Sequence, residues 1–161
     1  MLRFALAGVF ACALGGGGWT PVAVFALAAA SDWVDGPLAR RAGGSTTYGV
    51  LLDSGADIAF VLVALTAGVV AGSLSWIVPA AIACAATPYL VATVRKSHAI
   101  GRPARAFSAI GHAAGICNYA LVGFLAGSVA LPGSVWEHVL VPGSAVVVAL
   151  NLGAVALRLR G

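Results

Sequence analysis

Apolar runs that approach the thickness of a bilayer recur along the whole of this 161-residue chain. A helix rises 1.5 Å per residue, so roughly 20 apolar residues cross a hydrocarbon core of about 30 Å. Six such stretches stand near Leu2–Gly17, Thr20–Leu38, Gly49–Val70, Ile77–Val94, Phe107–Leu131 and Val139–Leu157. Hydrophobic residues make up 61% of the chain and charged residues only 9%, too few to clothe a soluble domain. The expected fold is an all-α integral membrane bundle of six transmembrane helices, a single domain over residues 1–161. The first stretch is short and ends in the glycine run 15–18. It lacks a small-residue cleavage pattern after a basic start, so it reads as a span and not as a removable signal peptide.

The basic residues orient this bundle. With six spans, Arg3, Arg40, Arg41, Arg95, Lys96, Arg102, Arg105, Arg158 and Arg160 all fall at the termini or in the second-to-third and fourth-to-fifth connections. These lie on one side of the membrane, and the positive-inside rule makes both termini cytoplasmic. Trp19, Trp76 and Trp136 fall at the opposite ends of the spans, where an aromatic belt is expected. The net charge of +4 is therefore a topology signal. No aromatic interleaving among the bases supports a nucleic-acid partner, whereas anionic lipid or phosphate would be drawn to that face. Cys12, Cys84 and Cys117 show no paired or metal-ligand spacing and are expected to be small buried hydrophobes. Asn118, Tyr119 and Asn151 are expected to bond between helices.

Four of the five acidic residues stand together in Asp32-x2-Asp35-Gly36-x2-Ala39-Arg40-x8-Gly49-x3-Asp53-x3-Asp57. A carboxylate at the centre of a membrane helix costs roughly 2.5–3.5 kcal/mol, so a cluster of them needs compensating charge. Asp32 and Asp35 share a helical face, which Gly36, Ala39 and Arg40 continue. Gly49, Asp53 and Asp57 recur every four residues on the next helix. A short connection lets the two faces meet near the cytoplasmic end of the bundle. Oxygen-only donors suit Mg²⁺ or Mn²⁺, with no thiolate or imidazole to favour zinc. Four carboxylates suffice for two ions sharing ligands, an arrangement that can clamp a phosphoryl group in transfer. Gly36, Ala39 and Gly49 leave space for a ligand, and Arg40 supplies a positive charge of the kind that pairs with phosphate. The alternatives for single residues are a solvated helix end or a structural Asp–Arg pair.

All eight specified positions of this 26-residue pattern match the signature of the CDP-alcohol phosphatidyltransferase family, which the six-span layout also resembles. The resemblance implies an integral membrane enzyme, in the cytoplasmic membrane of a prokaryote and with its active site facing the cytoplasm. Such enzymes carry two divalent ions. They move a phosphatidyl or related group from a CDP-linked donor, such as CDP-diacylglycerol, to the hydroxyl of an acceptor alcohol, releasing CMP for phospholipid biosynthesis. It further implies metal ligation by Asp32, Asp35, Asp53 and Asp57, with Asp57 the general base. Gly36, Ala39 and Gly49 would then admit the cytidine nucleotide, and Arg40 would contact its phosphates. Homodimers are the family's habit. The family's basic residue at the start of the first span corresponds to Arg3. Members often carry an amphipathic segment before that span. Here the segment is either dispensable or missing from the start.

On the acceptor side, Arg105, Ser108 and His112 fall at i, i+3 and i+7, one face of the fifth helix. A phosphorylated acceptor such as glycerol 3-phosphate or an inositol phosphate would use that face, although positive-inside bias alone also places Lys and Arg there. His112 stands where related enzymes often carry Lys, which weakens assignment to the glycerol-phosphate branch. The rival reading is a membrane ion or metal transporter that uses the acidic cluster. Acids crowded at one end, with no repeated half, argue against it.

Overall fold

The computed structural model describes residues 2–41, 47–97, 109–131 and 133–159. For residues 32–41, 47, 48, 50, 94–97, 134, 137 and 159 it describes the backbone alone. Six helices follow one another: α1 (Leu2–Gly16), α2 (Thr20–Arg41), α3 (Thr47–Val70), α4 (Ile77–Ser97), α5 (Ala109–Ala130) and α6 (Glu137–Leu159). A single 3-10 turn, Ser134–Trp136, leads into α6, and no strand occurs among the described residues. The all-helical expectation holds, and each helix falls within one of the six apolar stretches or extends it by a few residues.

Turn chemistry separates the helices. Gly17 and Gly18 take φ of 72° and 76°, a left-handed conformation open to glycine, and fold α1 back onto α2. Gly72 does the same after α3, with φ of 78°. Pro21 sits in the first turn of α2, where its missing N–H costs nothing. Trp19 and Trp76 stand exposed just before α2 and α4. Trp136 precedes α6 and donates its indole N–H to the Leu131 carbonyl.

The helices pack around α3 and α5. α3 touches α1, α4 and α5, while α5 touches α2, α3 and α6. Phe10, Phe60, Leu65, Leu121 and Leu125 are fully buried at these contacts. Small residues set the spacing: a Cβ on Gly68 would stand 2.6 Å from Leu125, and one on Gly127 would stand 2.8 Å from Trp136. Close approach at glycine is the usual way apolar helices pack without a hydrophobic drive between them.

The outside of the bundle is apolar as well. Val70, Val141, Leu27 and Ile116 are among many large hydrophobic residues that stand exposed. Three helices are long and apolar enough to cross a membrane, at Leu51–Val70, Ala109–Ala130 and His138–Arg158. The apolar parts of the other three, Leu2–Gly16, Thr20–Ser31 and Ile77–Thr93, are shorter among the described residues. Fifteen helical residues span about 22 Å, less than a hydrocarbon core. The outward apolar faces also correct one expectation. Cys12 and Cys84 are exposed and Cys117 is half-buried. In a bundle whose surroundings are themselves apolar, an apolar neighbourhood in sequence does not mean an interior position.

Candidate active site

Asp53 and Asp57 leave α3 one turn apart, within reach of α1. Arg3, at the start of α1, reaches both. Its Nη1 donates to Oδ1 of Asp53 at 3.2 Å and to Oδ1 of Asp57. Its Nε donates to Oγ of Ser31 on α2 at 3.4 Å, and that hydroxyl donates in turn to the Ala28 carbonyl at 2.8 Å. The side chain of Arg3 is only 5% exposed, against 31% for Asp57 and 63% for Asp53. A guanidinium so enclosed is stable only beside compensating charge, which the two carboxylates provide. Arg3 is thus more than a topology marker.

Asp57 is held from a second side. Tyr119 of α5 donates its hydroxyl to the same Asp57 Oδ1 at 3.2 Å. The Tyr119 ring stacks 6.1 Å from Phe60 and lies 6.4 Å from Phe25, and Phe60 meets Phe10 edge-on at 5.9 Å. This aromatic row joins four helices one turn beyond the acid. Tyr119 does bond between helices as expected, but its partner is the candidate base itself.

The two acids open onto different cavities. Asp53 and Gly49, with Arg3 and Ser31, line one of about 250 Å³ between α1, α2 and α3. Asp57 lines another of about 470 Å³ between α3, α4, α5 and α6. One end of the larger cavity is polar, with Ser54, Tyr89, His112 and Arg158. The hydroxyls of Ser54 and Tyr89 share a hydrogen bond at 3.1 Å. The Arg158 guanidinium lies 5.2 Å from the centre of the Tyr89 ring and donates to the Ala85 carbonyl at 3.4 Å, contacts that steady a cation at that end. The other end holds Asn118 and Asn151, whose amides bond at 2.9 Å as interhelical partners.

Of the residues singled out in the sequence, the structure puts Gly49 and Asp53 on one cavity, joins Asp53 to Asp57 through Arg3, and places His112 with Asp57 on the wall of the larger cavity. Asp32, Asp35, Gly36, Ala39 and Arg40 lie on the α2 backbone, immediately after Ser31, and their side chains are outside the described residues. Arg105 and Ser108 are wholly outside them. Among the described residues no three His, Cys, Asp or Glu side chains meet as a metal-binding group. The described half of the donor set still fits a hard cation. Two carboxylates turn an oxygen each toward one cationic nitrogen, Nη1 of Arg3. Ser54, Tyr89, Tyr119 and Arg158 escaped the sequence reading as site residues. The signal of the first three was only polarity within apolar stretches and that of Arg158 only its charge beside one, since their partners lie on other helices.

Comparison with known proteins leads the same way. A segment of 42 residues is 60% identical to a CDP-diacylglycerol–glycerol-3-phosphate 3-phosphatidyltransferase of Pseudomonas fluorescens, covering 26% of this chain and 22% of that protein. A segment of 50 residues is 46% identical to the protein of the same name from Escherichia coli K12, covering 29% of this chain and 28% of that one. The matches therefore span less than a third of either relative. No solved structure matches. The broader agreement is with the CDP-alcohol phosphatidyltransferase family as a whole, whose profile fits residues 1–154 from α1 through most of α6, and the chain belongs to that family.

Proposed function

We propose that this chain transfers a phosphatidyl group from CDP-diacylglycerol to a hydroxyl of glycerol 3-phosphate, releasing CMP. Family membership and the names of the two relatives support the reaction class and this pair of substrates. The observation that carries the reading is the position of Asp57. It lines the larger cavity, which runs to Arg158, and Arg3 ties it to Asp53 in the smaller one. Two substrates, one in each cavity, can thus meet at a pair of carboxylates joined by one guanidinium. The nucleotide end of the donor belongs on the Asp53 side, where Gly36, Ala39 and Gly49 give room and Arg40 meets phosphate. The acceptor belongs in the larger cavity, with Arg158 and His112, joined by Arg105 and Ser108, toward its phosphate.

In the transfer, Asp57 takes the proton of the acceptor hydroxyl as that oxygen bonds to the phosphatidyl phosphorus. The bond from that phosphorus to the bridging diphosphate oxygen breaks, and CMP leaves with it. Asp32, Asp35, Asp53 and Asp57 would hold two Mg²⁺ or Mn²⁺ ions, whose charge would offset that of the diphosphate. Arg3, shared by Asp53 and Asp57, keeps the two carboxylates compensated and aligned. Tyr119 fixes the carboxylate of Asp57 from the α5 side.

The same reading gives one domain over residues 1–161 that crosses a prokaryotic cytoplasmic membrane six times. Both termini and the site face the cytoplasm, and the protein is a homodimer. The placement of all nine basic residues and of Trp19, Trp76 and Trp136 supports this orientation. The deciding experiment is CMP release by the purified chain from CDP-diacylglycerol with Mg²⁺ or Mn²⁺. Release should require glycerol 3-phosphate and stop with EDTA. Absence of CMP with glycerol 3-phosphate and with inositol phosphate alike would overturn the proposal.

A further inference from the structure

The larger cavity ends in a pair of carboxamides that the reaction described so far does not use. Asn118 and Asn151 are 9% and 3% exposed, on α5 and α6. Both amide hydrogens of Asn151 are committed, one to Oδ1 of Asn118 at 2.9 Å and one to the Val147 carbonyl at 2.8 Å. That pairing locks the orientation of both side chains. It leaves two halves without a protein partner among the described residues, the carbonyl oxygen of Asn151 and the amino group of Asn118. Neither is sealed off, and the open space beside them is the cavity that Asp57 lines. Helix glue alone would need only the halves already bonded to each other.

We infer that Asn118 and Asn151 read a hydroxyl of the acceptor that does not react. This rests on the assignment of the larger cavity to the acceptor. A hydroxyl donates one hydrogen and accepts through its lone pairs, so it answers an N–H donor and a C=O acceptor set side by side. A carboxylate or phosphate oxygen would confront the Asn151 carbonyl, and an ammonium would confront the Asn118 amino group. Val61, Ile82 and Ala114 of the same lining carry no polar side chain, and the Tyr119 hydroxyl is committed to Asp57. A ligand that lacks the hydroxyl leaves two buried polar groups unanswered, and sites built this way discriminate strongly against the deoxy analogue. The pair lies six residues beyond His112 along α5, about 9 Å deeper in the cavity. The acceptor is therefore a polyol, held at its phosphate near Arg158 and recognised at a free hydroxyl by the two amides.

The test compares glycerol 3-phosphate with 3-hydroxypropyl phosphate, which keeps the phosphate and a primary hydroxyl and lacks the middle one. The wild-type protein should favour glycerol 3-phosphate by about a hundredfold in kcat/KM, the loss expected from two unanswered and incompletely buried polar groups. The double variant Asn118→Leu/Asn151→Leu replaces both partners by apolar groups of similar size, a change that can be nearly neutral for stability. It should bring the two acceptors within about threefold of each other, through a higher KM for glycerol 3-phosphate, with the KM for CDP-diacylglycerol unchanged. Retention of the preference in the double variant would reduce the pair to helix glue. If the variant does not fold, the wild-type ratio still decides, because equal use of both acceptors overturns the inference by itself. In that case CMP is still released and the proposed function stands. No release with either acceptor removes the proposed function, and this inference with it.

Discussion

The two cavities that meet at α3 are built from opposite materials. The corner of α1, α2 and α3 is ionic: Arg3 is enclosed between Asp53 and Asp57 and touches the residue that precedes two further acids on α2. The cavity of α3 to α6 is apolar along most of its wall, and its polar contacts are mainly hydroxyls and amides, with charge at Arg158 and Asp57. The contrast matches two different chemical tasks. A diphosphate and the ions that accompany it need full charges, which a low-dielectric site makes strong. A polyol needs neutral groups of fixed direction, because full charges would not distinguish one hydroxyl from water. Asp57 is the residue common to both halves.

Substitutions can separate the halves. The largest effect belongs to Asp57→Asn, which removes the group that lines the larger cavity and is tied through Arg3 to the ionic corner. CMP release should fall by about 10²- to 10⁴-fold in kcat, and a smaller loss would move the base elsewhere. Arg3→Gln tests the ionic corner alone. It leaves Asp53 and Asp57 facing each other uncompensated, at a cost on the order of 2 kcal/mol, discounted from a fully buried pair because Asp53 is mostly exposed. Thermal unfolding in detergent should show a lowered midpoint, and added Mg²⁺ should raise it further in the variant than in wild type. An unchanged midpoint would mean that solvent already screens the pair. The smallest effect is expected from Tyr119→Phe, which keeps the ring against Phe60 and deletes one hydrogen bond to a charged group. A bond of that kind is worth about 1.5–3 kcal/mol. About a tenfold drop in kcat with little change in either KM would confirm that Tyr119 positions Asp57. A change confined to KM would assign Tyr119 to the substrate instead.

Much of the ionic half was legible in the sequence because its residues repeat along single helices. Gly49, Asp53 and Asp57 are spaced by four, and the first two do line one cavity. The third does not, for a reason contained in the same spacing. Each step of four residues turns a helix by about 40° beyond a full circle, so Asp57 is rotated about 80° from Gly49 and faces the next helix. The neutral half was much less legible. Tyr119 bonds Asp57 from 62 positions away, and Asn151 bonds Asn118 from 33. No local period encodes such pairs. Arg3 was read for its charge and place, but its burial depends on how α1 lies against α3. The cysteines failed for a complementary reason: hydrophobicity marks inside from outside only where the surroundings are water.

The tight bend at Gly17 and Gly18 has a consequence far from itself. Arg3 and Ser31 stand fourteen residues on either side of Gly17, and they are hydrogen-bonded. The α1–α2 hairpin therefore acts as a ruler with its zero mark at the bend and its reading taken at the acids, about 20 Å away. One residue more or less in either arm would advance that arm by 1.5 Å and swing its tip through about 100°. The cation would then point away from the carboxylates it neutralises. Charge balance in this site is thus metered out from the opposite end of the bundle, by a turn that never touches it.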